Sequence, residues 1–142
     1  MQIKVLIVED EFLVALPLKI TLTRMGFDVV GIAPDTDAAC QFAALQPDIA
    51  LVDINLRDGA TGPHIGAMLA SDYGASVLYV TANPRQLESV QSGPIGVISK
   101  PLNDNDIAPV LDFLVSARQG ITTPPPPSVT LFDNDSVARA QA

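Results

Sequence analysis

A chain of 142 residues, 48 % of them hydrophobic, can bury one sizeable core and carry a tail. Its net charge of −8, with only eight scattered Lys and Arg, argues against nucleic acid as a direct partner, because phosphate contacts need clustered cations. The single cysteine, Cys40, rules out an intrachain disulfide and fits a reducing compartment.

Cys40 reads as a small apolar residue on a helix rather than a reactive thiol. The opening MQIKVLIVEDE does not have the form of a secretory signal: its apolar stretch is short, three acids follow at once, and no small-residue cleavage site appears. No apolar run approaches the roughly 20 residues that cross a bilayer. A cytoplasmic protein without a membrane partner is the expectation.

Five short apolar runs follow one another: Ile3–Val8, Val29–Ala33, Ile49–Ile54, Val77–Val80 and Ile95–Ile98. Most lack alternation, as strands covered on both faces of a parallel sheet do. Segments with helical spacing separate them. Phe12–Met25 sets Leu13, Leu16, Ile20 and Met25 near one stripe. Thr36–Gln46 follows Asp35, a residue suited to cap a helix. Pro63–Ser71 begins with a proline, which suits a first helical position. Arg85–Gln91 is short and is stopped by Ser92-Gly93-Pro94, and Asp106–Arg118 is the last. Pro17 should kink the first helix, and Pro109 is expected in the first turn of the last.

Strand then helix, five times over, predicts a three-layer, doubly wound α/β domain with a five-stranded parallel sheet. Ligands of such sheets bind beyond the carboxyl ends of the strands. After Gly120 the composition changes to Thr122, Thr123 and Pro124–Pro127, then an acidic end. Residues 1–119 are therefore expected to form the domain. Residues 120–142 read as a Pro-rich flexible tail in which only the apolar Val129–Phe132 suits docking.

At the strand ends stand Glu9-Asp10-Glu11, Asp53 with Asn55, Thr81-Ala82, and Lys100-Pro101. Carboxylates gathered at one edge repel each other unless a cation sits among them. Magnesium suits such a site, taking oxygen ligands from one or two carboxylates and a phosphate. Glu9, Asp10 and Asp53 fit it better than they fit zinc, for which no suitable Cys or His is placed. An aspartate can also act as a nucleophile and form an acyl phosphate. The Lys100 ammonium and Thr81 hydroxyl are then suited to meet phosphoryl oxygens. His64, the only histidine, reads as a partly exposed helix residue rather than a second phosphoryl carrier.

With LIVEDE, LVDINL, YVTA and ISKP in this order, residues Gln2–Gln119 resemble the receiver domain of two-component response regulators. The resemblance implies a flavodoxin-like (CheY-like) fold. It implies Asp53 as phosphoacceptor from a sensor histidine kinase or a histidine phosphotransfer protein. Glu9 and Asp10 would be the acidic pair for Mg2+, with the Asn55 carbonyl as a further ligand. Thr81 would be the switch hydroxyl, Lys100 the phosphate-binding ammonium, and the small Ala82 would leave room for the phosphoryl group. Val97 stands where receivers usually carry an aromatic switch residue, three positions before the lysine. The family's signalling face, on its fourth helix, fifth strand and fifth helix, should therefore be reshaped.

The expected function is a single-domain receiver acting in a phosphorelay, as a phosphate sink, or as a phosphorylation-controlled binding switch, and not an enzyme. A homodimer is compatible with it. The alternative is a receiver-fold docking or dimerisation module whose phosphorylation no longer signals. An aspartate-nucleophile phosphatase ranks last, since its family carries the nucleophile in a DxD pattern on the first strand.

Overall fold

A computed structural model of the chain describes residues 2–84 and 93–132. The helix expected over Arg85–Gln91 lies outside them. The strands are β1 (Lys4–Val8), β2 (Asp28–Ala33), β3 (Ile49–Val52), β4 (Ser76–Thr81), β5 (Gly96–Ser99) and β6 (Val129–Leu131). The helices are α1 (Phe12–Arg24), α2 (Thr36–Ala43), α3 (Gly62–Tyr73) and α4 (Asp104–Arg118). The sheet order is β2-β1-β3-β4-β5-β6. The first five strands are parallel, as expected, and β6 is antiparallel to β5. The fold is α/β and flavodoxin-like.

Alternation along the strands divides the core in two. Leu6, Val8, Ala50, Val52, Tyr79 and Val97 face α2 and α3, meeting Ala39, Ala43, Ile65 and Leu69. Val5, Ile7, Leu51, Leu78, Val80 and Ile98 face α1 and α4, meeting Ala15, Leu22, Val110, Leu111 and Leu114. Both sets are buried, which is why the strands read as unbroken apolar runs. Asp35 caps α2, its carboxylate accepting from the Ala38 N–H at 2.9 Å.

Three expectations need correction. First, the sheet has a sixth strand: Val129–Leu131, in the supposed flexible tail, pairs with β5. Second, the stripe Leu13, Leu16, Ile20 and Met25 is exposed on α1, Leu13 at 88 %, whereas Ala15 and Leu22 are buried and Leu18 packs beside them. The helix is apolar on both sides, so spacing alone did not choose the buried one. α1 runs from Phe12 to Arg24 with Pro17 inside it. Third, α4 begins at Asp104, so Pro109 is its sixth residue and not in the first turn. Pro17 is likewise the sixth residue of its helix. Each removes one bond, to the carbonyl of Leu13 or Asn105, and both of those residues are exposed so water can satisfy the oxygen.

Candidate functional site

Four strand ends converge at the carboxyl edge of the sheet. β1 delivers Glu9, whose N–H donates to the Ala33 carbonyl at 2.9 Å. β3 delivers Asp53, whose N–H donates to the Val8 carbonyl at 2.8 Å. β4 ends in Thr81, and β5 runs on into Lys100, whose N–H donates to the Thr81 carbonyl at 2.7 Å. Parallel pairing therefore locks the backbone beneath all four side chains. Glu9, Asp53 and Thr81 are 5 %, 7 % and 1 % exposed.

Lys100 joins the two buried acids. Its ammonium donates to Glu9 Oε1 at 2.6 Å and to Asp53 Oδ2 at 3.0 Å. The other Glu9 oxygen accepts from the Glu11 N–H at 3.3 Å. Burial pushes the Glu9 carboxyl up to about 7; Lys100 opposes this and the neighbouring Asp53 adds to it. Burial alone would lower the Lys100 ammonium, but its bonds to Glu9 and Asp53 outweigh that and hold it above its usual value. The Thr81 hydroxyl accepts from the Asn83 N–H at 3.1 Å, which fixes its oxygen beside the loop after β4. Ala82, the small neighbour, is exposed and lines a cavity shared with Asp53 and Lys100. The Lys100-Pro101 bond is cis.

Glu9, Asp10 and Asp53 each place one carboxylate oxygen so that all three lie within 4.8 Å of one another. Asp10 is the exposed member. Asn55 lies two residues beyond Asp53, exposed at the head of the loop to α3. His64 is exposed on α3 and Cys40 is exposed on α2.

Residues that the sequence did not single out hold this loop. Asp58 accepts from the Thr36 N–H at 3.0 Å and from the Thr61 hydroxyl at 2.7 Å, which together hold its carboxyl down at about 2. Arg57 pairs with Asp35, and its N–H donates to the Pro34 carbonyl at 3.3 Å. Gly62, first residue of α3, lies against the phosphoacceptor candidate itself: a Cβ there would fall 2.0 Å from the Asp53 carbonyl oxygen. A glycine between a loop and a helix was the one visible signal of that close approach.

Beside the acids a cavity of about 540 Å³ opens between α1 and the segment after β5. Its apolar walls include Leu13, Val14, Leu18, Pro101, Leu102 and Ile107. No helix among the described residues is long and apolar enough to cross a membrane.

Comparison with known proteins agrees with this architecture. The family model of the response regulator receiver domain matches residues 5–112. The phyllosphere-induced regulator PhyR of Methylorubrum extorquens is 31 % identical over 126 residues, covering 84 % of this chain and 47 % of that protein. The transcriptional regulatory protein PdtaR of Mycobacterium tuberculosis is 31 % identical over 125 residues, covering 84 % of this chain and 60 % of that protein. The chain thus spans about half the length of these relatives. Among solved structures, the receiver domain of a modulated diguanylate cyclase from Desulfovibrio desulfuricans is 30 % identical with a TM-score of 0.73, covering 84 % of this chain and 98 % of that one. PhyR from Brucella abortus is 28 % identical with a TM-score of 0.72, covering 84 % and 51 %. The sheet order, the four motif positions and these matches have one reading: the chain belongs to the response regulator receiver domain family.

Proposed function

We propose that the chain accepts a phosphoryl group on Asp53 from the phosphohistidine of a sensor histidine kinase or a histidine phosphotransfer protein. The observation that carries this is the buried Asp53 carboxylate, held at 3.0 Å by Lys100 and flanked by an acidic pair. In the transfer an Asp53 oxygen attacks phosphorus, the histidine N–P bond breaks, and the imidazole nitrogen keeps the electron pair. Asp53 becomes an acyl phosphate. Lys100 stays within reach of the oxygens that gain charge, and Thr81 brings a hydroxyl from the adjacent strand end.

The donor set suits Mg2+: all oxygen, three carboxylates, two of them buried and opposed by the Lys100 ammonium. Glu9, Asp10 and Asp53 would hold the ion, with the Asn55 carbonyl added by family resemblance. When bound it would neutralise phosphoryl charge. Burial is the main cause that raises the Glu9 carboxyl, but Asp53 adds to it, and that part of the shift is what a divalent cation between the acids would relieve.

A protein donor fits the approach to the site. Leu13 and Val14, exposed apolar residues of α1, line the cavity that reaches Asp53, and Phe12, Leu16 and Ile20 are exposed on the same helix. An apolar helix face carrying the phosphohistidine is the shape that such a surface suits. The chain is then a signalling protein that works in the cytoplasm, not an enzyme with turnover.

Intact-mass measurement with a small phosphodonor and magnesium should show one added phosphoryl group, absent in Asp53→Asn. Equal labelling of that variant would remove Asp53 from the mechanism. A wild-type chain that takes no phosphoryl group from any donor would favour the docking-module reading.

A further inference from the structure

β6 is not part of the strand–helix repeat, and its seat is shaped for it. The register pairs Gly96 with Leu131, Val97 with Thr130 and Ile98 with Val129, and the Phe132 N–H donates to the Ile95 carbonyl at 3.1 Å. A Cβ on Gly96 would come within 2.4 Å of the Thr130 carbonyl oxygen, so only glycine lets the backbones approach this closely. Alternate residues of the added strand fall on opposite faces. Val129 is buried in the cluster that holds Ile98. Phe132 packs on the other face, its ring 5.9 Å from that of the buried Tyr79.

The occupant is nonetheless slight. β6 has three residues, two of them exposed, and is reached through Pro124–Pro127. So short a ladder contributes little stability of its own. A proline run has an extended conformation with little entropy to lose, which suits a segment that leaves and returns as a unit. What lies beneath it is an edge strand, whose unpaired N–H and C=O groups are a template for any extended chain.

We propose that the β5 edge is a strand-docking surface, that Val129–Phe132 is its resident occupant, and that the partner which displaces it is an extended protein segment bearing an apolar residue and, three positions on, an aromatic ring. The resident strand defines that chemistry: antiparallel main-chain bonds give the attachment, and the Ile98 and Tyr79 seats give the selectivity. β5 also leads directly into Lys100, so occupancy of its edge and the state of the site share one strand. That coupling rests on the phosphoacceptor reading; the docking surface does not.

The test uses the full chain and a fluorescent peptide with the sequence of residues 126–132. Thr130→Pro removes the N–H that faces β5, two residues before the Phe132 donor, and leaves β5 itself untouched. Peptide anisotropy should show binding to Thr130→Pro at least about ten-fold tighter than to wild type. Adding Gly96→Val should abolish it, and a peptide with alanine in place of the Phe132 residue should bind more weakly. Binding should persist when Asp53→Asn is combined with Thr130→Pro, which separates this proposal from the phosphoacceptor reading. Equal affinity for wild type and Thr130→Pro would overturn it. Amide exchange on the wild type tests it without any substitution. Exchange of Thr130 and Phe132 well ahead of the β1 amides supports a displaceable strand, and exchange only on global unfolding overturns it.

Discussion

Replacing Lys100 by methionine tests the electrostatics of the site, because its ammonium bridges two buried carboxylates. Lys100 Nζ lies 2.6 Å from Glu9 and 3.0 Å from Asp53, and the acids are 5 % and 7 % exposed. Removing one partner of a buried ion pair costs about 3–5 kcal/mol. The lysine side chain is itself 17 % exposed, which lowers the expectation to about 2–4 kcal/mol at alkaline pH without magnesium. In a domain of this size that is a fall in melting temperature of roughly 10 °C. The loss should depend on pH. Glu9 has its folded-state pKa raised to about 7 from 4.5, so the folded wild type binds more protons than the unfolded chain in between and loses stability as pH rises through that window. Without Lys100 that carboxyl rises further, so the variant should keep losing stability above neutrality while wild type levels off. Urea melts at about pH 6 and about pH 8.5 should show the larger deficit at the higher pH, and millimolar magnesium should reduce it. A variant within about 0.5 kcal/mol of wild type at the higher pH would refute the reasoning.

Magnesium at millimolar levels should raise the wild-type melting temperature by mass action, and Asp10→Asn should weaken the response; a melt indifferent to the ion in wild type would count against the metal site. Gly62→Ala places a carbon 2.0 Å from the Asp53 carbonyl oxygen and 2.5 Å from Ile54 Cα. It should cost at least about 2 kcal/mol and slow phosphorylation, which thermal melts and intact mass would read; an unperturbed variant would mean the loop moves aside freely. A phosphate mimic such as beryllofluoride should shift the amides of Thr81–Asn83 more than that of Val97, since Thr81 carries the hydroxyl and Val97 has a stiff, ringless side chain. An amide shift map centred on Val97 would contradict this.

β1, β3, β4 and β5 and the site were legible because those strands obey one rule: apolar runs buried on both faces, each ending in a polar residue at the edge where ligands bind. Glu9, Asp53, Thr81 and Lys100 could be chosen by reading only the last residue or two of each run. The docked tail was less legible. Val129–Phe132 stood out as apolar, but a three-residue strand shows no period, and four prolines before it resemble a flexible linker. The exposed face of α1 was misread because Leu13, Leu16 and Ile20 have core-like spacing, whereas the buried side is carried by Ala15, Leu18 and Leu22. Gly62 escaped notice because what it makes room for, the Asp53 carbonyl, comes from another part of the chain.

With β6 paired to β5, the two outer strands of the sheet are β6, of three residues, and β2, of six. The β2 edge is poorly suited to recruit another chain. It starts with the charged Asp28, and its register with β1 slips between Val5 and Leu6, which leaves Val30 unmatched. An irregular edge offers no even ladder for a second molecule to extend. Gly31 beside it is covered by the Phe42 ring, which a Cβ there would meet at 2.4–2.6 Å. The sheet therefore resists edge-to-edge pairing at both margins, at one by an irregular border and at the other by a very short strand. A chain shortened before residue 129 would expose a straight, glycine-bearing margin. Its first symptom should be turbidity in concentrated solution rather than a lower melting point.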